Sequence, residues 1–302
     1  MKKLENIIII NKYKLSTIDK KIIRSIKNFI NISKFKNDYN FNHWKQKYSI
    51  DFILAHIIYL LKYNFSWRTL GSIHSNIYKH YIKLQSINTF KNTYNELLKK
   101  YLQKTKFNTL EKVYIDTTFI VNKKGTNFIA RNKYMKNKNC NKVSIITDAT
   151  LKSSSDDFLP QKKIVYDFCS NKKFIPIDIQ IFKGNVNDSK ILQQQMNIIV
   201  ENKDNINYLF ADKGYCSKIT RAILIKNNIY PIIDYNNRNT KDKTKKKYLT
   251  KKELNLYTKR IYIEHLFGNY KFFPKLGQRY EQKIHNYEGL MYLYFIKKIC
   301  SL

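Results

Sequence analysis

From about residue 110 onward the chain changes texture, and that change limits the folds open to it. Lys112-Val113-Tyr114-Ile115-Asp116-Thr117-Thr118-Phe119-Ile120 and Val143-Ser144-Ile145-Ile146-Thr147 are β-branched and aromatic runs of strand length. Phe174 to Phe182 alternates apolar and polar residues, and Asn207 to Ala211 and Ile229 to Ile233 add two more short runs. Between them, Ser189 to about Val200 and Ser217 to about Asn227 read as helices. Strands come first in a block and then alternate with helices, which predicts an α/β fold: a mixed sheet with helices on its faces. Residues 150 to 172, with Ser153-Ser154-Ser155-Asp156-Asp157, read as an insertion or long loop. Residues 236 to 252, with Asn237-Arg238-Asn239-Thr240 and Lys245-Lys246-Lys247, read as a polar basic linker.

Before that boundary the pattern is mainly helical, with apolar positions recurring at three- and four-residue steps through Phe52, Ile53, Ile57, Leu60 and Leu61. Asn64-Phe65-Ser66 interrupts it, and Ser66 suits the N-cap of a second helix that begins at Trp67-Arg68. Trp44 and Trp67 are expected in the core of this region. A helix, a short turn and a helix with basic residues along them permit docking in a DNA groove. With 302 residues the chain has room for about two domains. We expect a helical, DNA-binding domain over 1–105 and a second domain over 106–302.

Charge narrows the partners. Lys and Arg number 57 against 22 Asp and Glu, a formal net charge of +35. Such a charge opposes compactness unless a polyanion offsets it, so nucleic acid is the first partner to consider. The basic residues are mostly Lys, accompanied by abundant Asn, Ile and Tyr; all are encoded by A/T-rich codons, so base composition sets part of this charge. At 43% hydrophobic and 15% aromatic, the composition excludes a disordered basic tail. The nearly apolar run from Phe52 to Leu61 is too short for a membrane span, and the N-terminus carries no secretory pattern. Cys140, Cys169, Cys216 and Cys300 are scattered without metal-ligand spacing, which predicts free thiols in a reducing, intracellular setting.

The chemistry gathers in the last third, in Tyr257-x-x-Arg260-x-x-x-Glu264 followed by Lys271. On one regular helix these four side chains would share a stripe. Seven residues is about 10.5 Å of rise, so Lys271 would not share a metal with Glu264 but would hold a flanking phosphate. Arg260 is close enough to pair with Glu264 or to hold the same strand, and His265 is expected to pack. Two further carboxylates stand upstream: Asp116 inside the first strand run, and Asp212 directly after Leu209-Phe210-Ala211. An Asp at the C-terminal end of a strand, followed by Gly214, projects where open α/β sheets bind ligands.

Asp116-Thr117-Thr118, Gly184-Asn185-x-x-Asp188-Ser189, Ala211-Asp212-Lys213-Gly214-Tyr215 and the Tyr-Arg-Glu-Lys signature occur in the order seen in insertion-sequence DDE transposases of the Tyr-Arg-Glu-Lys signature group. The resemblance covers roughly 110 to 300, and more weakly reaches Trp67-Arg68-Thr69-Leu70; Cys216 departs from the acidic residue common after Lys-Gly-Tyr. It implies a ribonuclease-H-like catalytic domain over 106–302, with the first Asp on strand one, the second after strand four and the Glu on a later helix. It implies that Asp116, Asp212 and Glu264 are catalytic and hold metal, and that Tyr257, Arg260, Lys271 and Arg68 bind DNA. Three converging carboxylates repel one another unless divalent cations offset them. Oxygen ligands suit Mg²⁺, with Mn²⁺ as substitute, in a pair of ions. The implied partners are double-stranded DNA, as element ends and target, and a second copy in a synaptic homodimer. The implied location is the cytoplasm, on nucleoid DNA. The rivals are a nuclease of the same fold that cuts without joining, and a non-catalytic DNA-binding remnant.

Overall fold

A computed structural model describes residues 15–32, 48–104, 111–148, 175–201, 206–238 and 241–301. In chain order its principal elements are α1 (Thr17–Ile32), α2 (Ile50–Lys62), α3 (His74–Ser86), α4 (Thr89–Lys104), β1 (Lys112–Asn122), β2 (Ala130–Asn132), β3 (Lys138–Asp148), β4 (Pro176–Lys183), α5 (Asp188–Glu201), β5 (Tyr208–Ala211), α6 (Lys218–Lys226), β6 (Tyr230–Ile233), α7 (Lys251–Tyr257), α8 (Ile261–Lys271), α9 (Pro274–Gly277) and α10 (Ile284–Cys300). They fall into two compact units: Met1–Tyr101 with Lys123–Asn127 and Lys271–Leu302, and Leu102–Asn122 with Phe128–Tyr270.

In the helical unit, α10 packs against α1, α2 and α3. Helix α2 is apolar on nearly every side, and Phe52 to Ile58 is buried throughout, as a central helix must be. Gly289 of α10 permits a close approach, because a Cβ there would lie 2.6 Å from the Tyr81 hydroxyl of α3. Buried Arg279 donates to the carbonyl of Asn127 at 2.8 Å and to its side-chain oxygen at 2.7 Å, which ties 123–127 into this unit. The helix expected to start after Ser66 begins at His74 instead. Trp67–Ile73 is a 3-10 segment, and Gly71, at φ 60°, breaks the helical path inside it. Trp67 is half-buried rather than a core residue: its indole donates to Glu281 at 2.9 Å and its ring meets Tyr78 edge-on at 5.0 Å. Trp44, Cys169, Phe174, Asn239, Thr240, the N-terminal segment and the expected loop over 150–172 lie outside the described residues.

The sheet unit is built on the strand order β4-β3-β1-β5-β6, with short β2 also paired to β3. Antiparallel pairing joins β4 to β3 and β3 to β1; β5 and β6 continue from β1 in parallel. This mixed sheet flanked by helices is the ribonuclease-H-like arrangement. Strand periodicity then sorts the side chains. Val113 and Ile115 point to one face, where they join Leu192 and Met196 of α5 and Leu224 of α6 in a common core. Tyr114 points to the other, stacks on Phe210 at 4.6 Å and meets Tyr262 of α8 at 6.1 Å. Helices α5 and α8 therefore cover opposite faces of β1.

Beyond β4 the chain turns at Gly184, whose amide donates to the carbonyl of Cys140 at 3.1 Å. A Cβ at Gly184 would collide with the Cys140 sulfur and lie 2.8 Å from its carbonyl oxygen. Gly184→Ala should therefore destabilise the protein by about 1–3 kcal/mol, the usual range for overpacking. Urea denaturation checks this, and an unchanged midpoint would refute the close approach.

Candidate active site

The last rung between β1 and β5 pairs Tyr114 with Phe210. Two residues further on, Asp116 projects from β1, which runs on to Asn122 against β3, and Asp212 follows the end of β5, so the two carboxylates stand at matching positions just beyond the C-terminal end of the parallel pairing. In parallel sheets this C-terminal rim is where ligands bind. Asp116 folds its carboxylate back so that Oδ1 accepts from the Thr117 amide at 2.8 Å. Asp212 starts the 3-10 turn Lys213–Tyr215 from an extended backbone and does not cap it with its side chain, which leaves the carboxylate for the rim.

The Tyr-Arg-Glu-Lys segment is not one regular helix. A capping box between Thr250 and Glu253 starts α7, which ends at Tyr257, and Thr258–Arg260 is a 3-10 turn before α8. Three residues of 3-10 geometry rotate the following side chains by roughly 60° relative to a continuous α-helix, so the single stripe is lost. The rotation separates two contacts. The Tyr257 hydroxyl donates to Asp212 Oδ1 at 3.2 Å, whereas Arg260 Nη1 donates to Asp116 Oδ2 at 3.1 Å and its Nη2 to Glu264 Oε1 at 2.9 Å. The guanidinium also lies 5.7 Å from the Tyr257 ring centre. Asp116, Asp212, Tyr257, Arg260 and Glu264 thus form one constellation inside the sheet unit. Lys271 ends α8 and Arg68 lies exposed in the 3-10 segment; both belong to the helical unit. His265 is half-buried.

Electrostatics follow from burial. The Asp116 side chain is 18% exposed. Burial raises its carboxyl from 3.8 to about 6, against the opposing pull of Arg260 and the Thr117 amide and with a further push from Asp212. Burial also raises the Tyr257 phenol to about 12, with Arg260 opposing and Asp212 adding to the rise. For Arg260 burial acts to lower the value, but Asp116, Tyr257, Asp212 and Glu264 together hold it above its usual level. Glu264, 56% exposed, is the solvent-facing end of the chain of contacts. Burial lowers the Lys271 ammonium below its usual value.

The donor set suits a hard divalent cation in kind, since it is made of carboxylate oxygens, and a cation beside Asp116 would offset its buried charge. In arrangement it is partly committed. Among the described residues no three His, Cys, Asp or Glu side chains gather as a metal-holding group. Arg260 bridges Asp116 and Glu264, and Glu264 would have to leave it to join the two aspartates.

Sequence reasoning missed Asp234, which follows Ile233 on the strand paired to β5, one step beyond the rung between Ala211 and Ile233. Its charge contributes to the raised Tyr257 phenol. The signal was present, because Ile232-Ile233-Asp234 repeats the strand-then-Asp pattern of Phe210-Ala211-Asp212. The pairing of Arg260 with Asp116 carried no signal at all.

Residues 161–296 match the family model described as a transposase DDE domain. The match spans Asp212, Tyr257, Arg260, Glu264 and Lys271 and begins after Asp116; it supports a DDE transposase. The chain matches no curated protein and no solved structure. Among the described residues no helix is long and apolar enough to cross a membrane.

Proposed function

We propose that this chain is a DDE transposase of the Tyr-Arg-Glu-Lys signature group, which hydrolyses a phosphodiester at the ends of a mobile element and joins the freed 3′-hydroxyl to target DNA. One observation carries the reading: Asp116 and Asp212 stand at matching positions on neighbouring strands, just beyond their parallel pairing in a ribonuclease-H-like sheet, where Tyr257 donates to Asp212 and Arg260 joins Asp116 to Glu264. The match of 161–296 to a transposase DDE domain supports it independently. Asp116, Asp212 and Glu264 are the catalytic carboxylates and would hold Mg²⁺ or Mn²⁺. A pair of such ions would supply the polarisation that activates water or a 3′-hydroxyl and steadies the leaving oxygen. Tyr257 orients Asp212 and the strand beside it. Arg260 and Lys271 hold strand phosphates, Arg260 once Asp116 and Glu264 are otherwise compensated.

The helical region to about residue 105 docks on the duplex. An open cleft in the helical unit, lined by Arg68, Lys124, Lys275 and Tyr280 and by Trp67 and Tyr78 hydrogen-bonded to Glu281, offers cations and aromatic rings for that task. Two copies synapse two element ends on nucleoid DNA in the cytoplasm.

The test is a gel assay with DNA carrying the sequences that flank the element, with and without Mg²⁺ or Mn²⁺, beside Asp212→Asn and Glu264→Gln. Metal-dependent cleavage and joined products are expected from the wild type, with both reduced to background in the variants. Cleavage without joined products would assign a nuclease of the same fold. Tight binding without cleavage under any divalent cation would assign a DNA-binding remnant.

A further inference from the structure

Neighbouring residues on a strand send their side chains to opposite faces. Asp116 points toward the α8 face and Thr117 toward the α5 face. There the Thr117 hydroxyl donates to Asp188 Oδ1, the first residue of α5, at 3.0 Å. The same oxygen accepts from Lys142 Nζ of β3 at 2.8 Å. Lys142 is only 7% exposed; it donates to the carbonyl of Val186 at 2.8 Å and sits 5.0 Å from the centre of the Phe119 ring. A buried ammonium keeps its charge only if partners compensate it, so Lys142 fixes Asp188 in place. On its other side Asp188 backs onto Gly214, two residues after Asp212: a Cβ there would lie 3.1 Å from Asp188 Oδ2. Tyr215 is buried against the same group. Its phenol stands well above its usual value through burial, with the charges of Asp116 and Asp188 adding to the rise and the Thr117 side chain and Arg260 opposing it.

The geometry points to Asp188 as a positioning residue: through Thr117 it fixes Asp116, and through Gly214 it fixes the turn that carries Asp212, so that the two aspartates keep a set spacing. This rests on the reading of the rim as a strand-cleaving centre. It also gives the Gly184-Asn185-x-x-Asp188 motif a task, because the turn after β4 delivers Asp188 to the underside of the site.

Two variants of the full-length chain separate positioning from packing. Thr117→Val removes the hydroxyl that donates to Asp188 and faces the Tyr215 phenol, and leaves the Lys142–Asp188 pair intact. Asp188→Asn keeps the shape and removes the charge. Each is compared with wild type by melting midpoint, by calorimetric titration with Mn²⁺ alone, by affinity for element-end DNA and by cleavage rate. For Thr117→Val we expect melting within a few degrees of wild type and DNA affinity within about twofold. Mn²⁺ affinity and kcat should fall together by about tenfold or more, the size usual for groups that orient metal ligands, and Thr117→Ser should restore both. Wild-type Mn²⁺ affinity and kcat in Thr117→Val would overturn the proposal, even if Asp188→Asn fails to fold. A kcat loss that tracks a lower melting midpoint and is not restored by Thr117→Ser would also overturn it, in favour of a packing role. The parent reading fails separately, if Asp116→Asn cleaves at the wild-type rate.

Discussion

Asp116→Asn is expected to make the cation-free protein more stable at pH 8 while abolishing strand cleavage. The native carboxyl titrates at about 6 instead of 3.8, so between those values the folded chain binds more protons than the unfolded one. Stability contributed by this group is therefore full below about pH 4, falls as pH rises through that window, and stays low above about pH 6. A shift of that size corresponds to roughly 2–3 kcal/mol at about 1.4 kcal/mol per unit, an upper limit for a partly hydrated side chain. Asparagine retains an oxygen for the Thr117 amide and carries no charge, and Arg260 keeps Glu264 as partner. Urea titrations at pH 4, 6 and 8 should give curves that coincide at the lowest pH and separate by up to that amount at the highest. A wild type that is the more stable at pH 8 would contradict the account. Saturating Mn²⁺ should reverse the order, because a cation bound at one hundred times its Kd adds about 2.7 kcal/mol to the form that binds it. On the proposed function, activity is then held at the expense of stability, as is usual where like charges are gathered for chemistry.

Much of this arrangement was legible in residue order. The strands at Lys112, Val143, Asn207 and Ile229 showed themselves through β-branched and aromatic runs, because a buried sheet needs those side chains on both faces. Asp116 and Asp212 were visible because each interrupts or ends such a run. Three-residue β2 was not legible: Ala130–Asn132 has no apolar pattern, and its pairing with β3 is set by the partner strand. The start of α3 was also misplaced. Ser66 has the chemistry of a cap, but one glycine at positive φ decided where the helix begins. The Tyr-Arg-Glu-Lys spacing placed Tyr257, Arg260 and Glu264 on a helical stretch and misjudged its shape, since an α-helical period does not reveal a 3-10 turn within it. Contacts between distant segments lie beyond periodicity altogether. Arg260 with Asp116, and Lys142 with Asp188, depend on strand register, which a single sequence encodes only through the whole fold.

Arg260→Ala should produce the largest loss of stability of any change at the site, and the loss should depend on pH and on cations. In the cation-free protein this guanidinium is the positive charge between Asp116 and Glu264. Removing it leaves Asp116 buried beside Asp212 with only the Thr117 amide to compensate. Stranding a buried charge in this way costs about 3–5 kcal/mol. The penalty should be largest at high pH, where the folded variant must hold Asp116 ionised without its guanidinium. Without Arg260 the native carboxyl rises further above its unfolded value, so the penalty shrinks as pH falls toward 5 and Asp116 takes up a proton. Arg260→Lys should fall between the two, since a single ammonium does not span both carboxylates as a planar fork does. If the arginine stands where a divalent cation acts in the working enzyme, Mn²⁺ should raise the melting midpoint of Arg260→Ala more than that of wild type, because no guanidinium has to be displaced from Asp116. Equal Mn²⁺ shifts in the two proteins would show that Arg260 and the cation occupy the rim together, and the arginine would then be assigned to the DNA strand from the start.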